Sequence, residues 1–171
     1  TCLFTWLLIG VGGIVTSQGV GMSVPDWPNT YGYNMFYFPL SQWVGGIFWE
    51  HSHRLMASLV GLMTLILTIW AHGRSGRSLL RYVILPLSIL LTFLVLINAE
   101  NNTLQHASIT GGTGFIALFV SFFWPRMKPA SKLIRKLCWI ALTMVIGQGL
   151  LGGLRVTLYK DEIGIIHATL A

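Results

Sequence analysis

The sequence predicts an all-α, polytopic transmembrane helix bundle, and three features predict it. Apolar residues make up 54% of the chain and charged residues only 9%, with a mean hydropathy of +0.69, too apolar for a soluble domain of this size. The apolar residues gather into runs near the length that a helix needs to cross a hydrocarbon core about 30 Å thick. The basic residues fall in short stretches between those runs, where they read as topology signals.

Taken in order, the runs are Cys2 to Met22, Leu55 to Ala71, Tyr82 to Ala99, Ala107 to Trp124 and Leu137 to Leu154. A sixth begins near Ile163 and is cut short. About five complete spans and a truncated sixth are therefore expected, in one bundle over 1–171. The start at Thr1 and the stop at Ala171 read as a fragment cut at both ends.

Charge orders the connections. Arg74, Arg77 and Arg81 lie between the second and third runs, and Arg126, Lys128, Lys132, Arg135 and Lys136 between the fourth and fifth, so both loops are expected on the cytoplasmic side. The other connections carry every acidic residue: Asp26, Glu50, Glu100, Asp161 and Glu162, with Arg54, Arg155 and Lys160 as basic company. The formal charge of +6 comes without a soluble basic domain, so membrane lipid is the expected partner and nucleic acid is not.

The long outer loop, 23–49, is rich in Trp, Tyr and Phe and holds Pro25, Pro28 and Pro39. That composition suits the headgroup level, capping the outer end of the bundle. Glycines at 10, 12 and 13, at 111, 112 and 114, and at 147, 149, 152 and 153 permit close approach of helices or of a flat ligand. Cys2 and Cys138 form neither a disulfide framework nor a CxxC pair. Asn101 to Thr103 matches a glycosylation sequon, which carries little weight.

The candidate chemistry lies at the head of the second run, where Glu50, His51, Ser52, His53 and Arg54 stand together. Ionisable groups in a bilayer are costly unless paired or used. On a helix Glu50 shares a face with His53 and Arg54, while His51 points elsewhere. His167, at the start of the truncated run, belongs to the same side of the membrane. Two imidazoles at one level suit a low-spin haem iron better than zinc, which wants further ligands. The bland alternative is that interfacial histidines bond loop backbone and headgroups. His72 and His106 have no acidic or histidine partner at helical spacing and read as structural. Arg155 is placed either to meet a haem propionate or to snorkel to the interface.

These residues also form an ordered pattern. Gly21-Met22-Ser23-Val24-Pro25-Asp26-Trp27-Pro28, then Glu50-x-x-His53-Arg54, then Gln148-Gly149-Leu150-Leu151-Gly152-Gly153-Leu154-Arg155-Val156, and Ile166-His167-Ala168 resemble the amino-terminal half of bacterial haem A synthases. The resemblance implies one half of a longer, inner-membrane, multi-pass oxidoreductase that oxidises the C8 methyl of haem O to a formyl group. It implies His53 and His167 as iron ligands to the substrate haem, Glu50 as the acidic residue required for activity, and a haem b cofactor held beyond Ala171. Arg54 and Arg155 are the expected propionate partners. Haem O synthase, an electron donor and cytochrome oxidase assembly are the implied company. Two departures stand out: 79–125 supplies two additional apolar runs, read as a two-helix insertion, and the 23–49 loop has no cysteine pair. Two rival readings are a di-haem electron carrier of cytochrome b type and a transporter or assembly subunit using Glu50 and the histidines as an ion path.

Overall fold

The computed structural model describes residues 1–98 and 102–171. Glu100 and the sequon residue Asn101 lie outside the described residues. Among the described residues six helical segments carry the fold: α1 (Cys2–Ser17), α2 (Gly45–Ala71), α3 (Gly73–Ile97), α4 (Thr103–Phe122), α5 (Lys132–Leu158) and α6 (Asp161–Leu170). Among the described residues, the only strands are two-residue pieces, β1 (Asn29–Thr30) and β2 (Tyr33–Asn34). The all-α class is thus met.

Of the five expected spans, three are both long and apolar enough to cross a membrane: α2, α3 and α5. The apolar helix α1 is shorter; its 16 residues rise only about 24 Å at 1.5 Å each. The 20 residues of α4 have the length, but Gln105, His106, Ser108, Thr110 and Thr113 dilute its apolar surface. Only 11% of the most apolar stretch of α3 is buried within the protein. Leu87, Ile89, Phe93 and Leu96 each leave half or more of their surface outward, as expected of a helix whose solvent is lipid.

The chain divides into two compact units, with the divisions falling inside α2 and α5. The first unit comprises 1–64 and 141–171. Here α1 stops at Ser17, five residues before its apolar run ends. Gly19 takes a left-handed φ of +66°, and the Gly19 and Val20 N–H groups close back onto the Thr16 and Val15 carbonyls.

The following loop contains a tight hairpin whose turn residues, Tyr31 and Gly32, both have positive φ. The Asp26 carboxylate accepts from both turn amides, at 2.8 and 2.7 Å, and the Tyr31 hydroxyl donates to the Ser23 carbonyl at 2.6 Å.

The second helix begins ten residues earlier than its apolar run. Gly45, with φ +55°, turns the chain into α2, and the Val44 carbonyl accepts from Ile47 and Phe48. Residues 45–49, expected in the loop, are the first turn of the helix. Glu50 to Arg54 therefore sit inside α2 rather than at its mouth.

The second unit comprises 65–140. In it α3 and α4 form an antiparallel pair: Thr92 donates to Thr110 at 2.9 Å, Ser88 packs on Gly114, and Arg81 Nε donates to Ser121 at 2.9 Å. Ile69, Leu80 and Ala117 make its buried core, with Leu65, Ile84 and Trp124 against them. A π-turn interrupts α3 at Leu80–Ile84, just before Pro86. Pro86 has no N–H and would clash with the carbonyl four residues back in a regular helix, and the widened turn relieves that clash.

Candidate functional site

All five residues singled out from the sequence, Glu50, His53, Arg54, Arg155 and His167, belong to the first unit. They form three arrangements.

The first is a clamp. Glu50 is buried at 4% exposure and pairs with Arg54 one helical turn on, at 2.7 Å. Its other oxygen accepts the Val24 N–H at 2.8 Å. The Arg54 guanidinium donates to the carbonyls of Asp26 (2.6 Å), Asn29 (3.0 Å) and Val24 (2.9 Å) as well as to Glu50. Those four bonds use all four terminal N–H groups of the side chain. In this arrangement the terminal donors of Arg54 hold the loop.

Beside the clamp, His51 is fully buried. Its Nδ1 lies 3.1 Å from the Thr30 hydroxyl, and its ring sits between Phe38 and Trp43, with centroids at 5.1 and 4.7 Å. Sequence reasoning passed over His51 because its partners come from a loop whose path no periodicity reveals.

The second arrangement is the histidine pair. His53 projects from α2 toward α1, where a Cβ on Gly12 would come 3.0 Å from the ring. His167 projects from α6 toward α5, where a Cβ on Gly152 would come 3.4 Å from its ring. In both, Nδ1 is buried with no hydrogen-bond partner. Buried polar atoms are seldom left so. The side chains rest on glycines that leave room for flat rings, a role within reach of the sequence through the mid-helix glycines.

The third arrangement centres on Arg155. Its guanidinium crosses Gly21 and Gly164, where Cβ atoms would come within 2.6 Å. Its Nε is buried without a partner, and its one ion pair, with the largely exposed Asp161, is long at 3.7 Å. Arg155, Asp161, Thr16 and the α6 residues Gly164, Ile165, Ala168 and Thr169 line an open cavity of about 390 Å³. A buried guanidinium nitrogen beside a cavity is suited to an anion.

His72 and His106 are outside this group. His72 Nδ1 is 2.7 Å from the Thr68 carbonyl and its Nε2 accepts from the Trp139 indole at 3.2 Å, an arrangement internal to the second unit. His106 is in the first turn of α4.

Among the described residues, no three or more His, Cys, Asp or Glu side chains gather as a bare metal ion would need. Two imidazoles with unpartnered nitrogens and glycine-lined surroundings fit an iron whose other four ligands come from a porphyrin. No family model, curated protein or solved structure matches the chain.

Proposed function

We propose that the chain binds haem through His53 and His167 and acts as a haem A synthase-like membrane oxidoreductase, converting the C8 methyl of haem O to a formyl group. The observation that carries this reading is the pair of buried, unpartnered Nδ1 atoms on separate helices, each ring backed by a glycine. Arg155 takes a propionate in this reading, since its Nε is unsatisfied and the terminal nitrogens of Arg54 are engaged. The chain then makes five crossings of a bacterial plasma membrane, with haem O synthase and an electron donor as partners and a haem b site in a second half.

The iron supplies the redox chemistry when haem is bound, and the oxidant and electron donor come from outside the chain. The protein's own contribution is positional. The imidazoles would hold the iron, and Gly12 and Gly152 leave their rings room. Glu50, one helical turn before His53, would supply a carboxylate able to stabilise positive charge or accept a proton when the methyl is oxidised. A carboxylate offers about four acceptor positions, so the bonds to Val24 and Arg54 leave it with capacity.

Pigment analysis of the purified full-length membrane protein tests the reading. A Soret band and extractable haem A are expected; a colourless protein refutes it. Glu50→Gln, which preserves an acceptor for Val24, is expected to retain haem and lose formyl formation. Wild-type haem A output from that variant removes Glu50 from catalysis. His53→Ala and His167→Ala are expected to abolish the low-spin spectrum.

One observation favours a second reading, a cytochrome b-type electron carrier: both Glu50 oxygens already serve the loop clamp, so a purely structural Glu50 would leave bis-histidine ligation intact. Haem b without haem A in the extract selects that reading.

A further inference from the structure

Eight of the eleven Lys and Arg residues lie in the second unit: Arg74, Arg77, Arg81, Arg126, Lys128, Lys132, Arg135 and Lys136. None of them makes an ion pair among the described residues, and the described part of that unit contains no Asp or Glu. A row of loose cations at a helix end is commonplace. What sets this one apart is that the structure locks its two halves together.

The two basic segments, some fifty residues apart, are joined by main chain. The Arg74 N–H donates to the Met127 carbonyl at 3.1 Å and the Ala130 N–H to the Ala71 carbonyl at 2.9 Å. The Trp124 indole donates to the Gly73 carbonyl at 2.7 Å. Gly73 makes this possible: its φ is +54°, and a Cβ there would lie 2.7 Å from Met127 O and Pro129 N. Gly76 likewise leaves room for the Trp124 ring. Arg74, Arg77 and Arg81 are spaced to share one face of α3. Arg81 is further held by Ser121 and by the Phe122 ring, 4.8 Å from its guanidinium carbon.

The surroundings of this basic end are apolar and aromatic. Trp70 and Trp124 stack edge to face at 5.7 Å, and Trp139 is hydrogen-bonded to His72. Phe122, Phe123 and Leu133 are each more than 60% exposed. Tryptophan beside basic side chains marks the headgroup level of a bilayer. A ligand fitting both features must carry phosphate and hydrocarbon together.

We propose that this preformed basic surface binds the headgroups of anionic phospholipids, with acyl chains running along the exposed apolar side chains beneath. This proposal is independent of the haem reading. A fixed array of cations binds a phosphate cluster without first having to be ordered, so retention is selective rather than a general attraction of a basic protein for a charged surface.

The test is native mass spectrometry of the full chain released from mixed micelles containing phosphatidylglycerol and phosphatidylcholine in equal amounts. Wild-type protein is expected to retain phosphatidylglycerol several-fold over phosphatidylcholine. The variant Arg74→Gln/Arg77→Gln/Arg126→Gln/Lys128→Gln is expected to lower that preference by about fivefold or more, since each basic residue near an anionic surface is worth several-fold in affinity. Lys160→Gln, in the first unit, leaves it unchanged. The Arg126→Gln/Lys128→Gln pair, confined to an exposed connection, reads the same effect on a smaller scale if the quadruple variant fails to fold. Equal retention of the two lipids overturns the proposal. So does undiminished preference in the double variant, or an acidic protein bound there with no lipid selectivity.

Discussion

The two units treat charge in opposite ways. In the first, Glu50 and Arg54 are buried inside a helix and spend themselves on each other and on the main chain of a neighbouring loop. In the second, the exposed cations keep no acidic company among the described residues, and their two segments are joined largely by bonds between backbone groups. Buried charge in the first unit therefore specifies structure, whereas in the second unit structure positions charge for use elsewhere. A substitution that removes a buried charge of the first unit should be costly, and one that removes an exposed cation of the second should be nearly silent for folding.

The largest expected effect breaks the clamp. Arg54→Ala strands the Glu50 carboxylate and three carbonyls, and losing one partner of a buried pair costs about 3–5 kcal/mol. Unfolding in detergent should show this loss, together with faster amide exchange over 23–34. A change under 1 kcal/mol, on that same scale, would mean that the loop is held by its apolar contacts instead. Next in size is Gly73→Ala, which places a side chain at positive φ and against Met127 and Pro129; a residue forced into such backbone costs about 1–3 kcal/mol. Thermal stability measures it, and an unchanged midpoint would show that the two basic segments are not pinned as described.

A third substitution, Gly12→Val, acts on the histidine pair. Because even a Cβ at Gly12 comes 3.0 Å from the His53 ring, the ring must move; under the proposed haem reading, haem content per protein is expected to fall several-fold with little change in folding. Full haem occupancy in that variant would detach His53 from the site. The smallest effect belongs to Asp161→Asn. Its partner Arg155 is 3.7 Å away and Asp161 is 91% exposed, so the thermal midpoint should stay where it is. A clear destabilisation there would erase the contrast between buried and exposed pairs.

Much of this contrast was legible in the residues themselves. The helical spacing of Glu50 and Arg54 implied a shared face, and the structure joins them. The expected placement of His53 and His167 on one side of the chain is matched only in that both belong to the first unit, each ring against a glycine of a neighbouring helix. Helix ends were less legible, because hydropathy marks where lipid begins rather than where hydrogen bonding does. Thus α2 continues outward through polar Glu50 and His51 to Gly45, and α1 stops short at the left-handed Gly19 although its sequence stays apolar to Met22. The targets of Arg54 were not legible at all: they are main-chain oxygens, and any residue type carries one. His51 was overlooked for a related reason, since its partners Thr30, Phe38 and Trp43 gather only after the loop has folded.

Apart from its bond to Glu50, Arg54 holds only peptide oxygens, so what it specifies is a route for the chain. Replacing Asn29 by another residue leaves its carbonyl where the guanidinium needs it. Inserting or deleting one residue between Val24 and Asn29 would instead throw the acceptors out of register together. Length, more than composition, is what this stretch must keep.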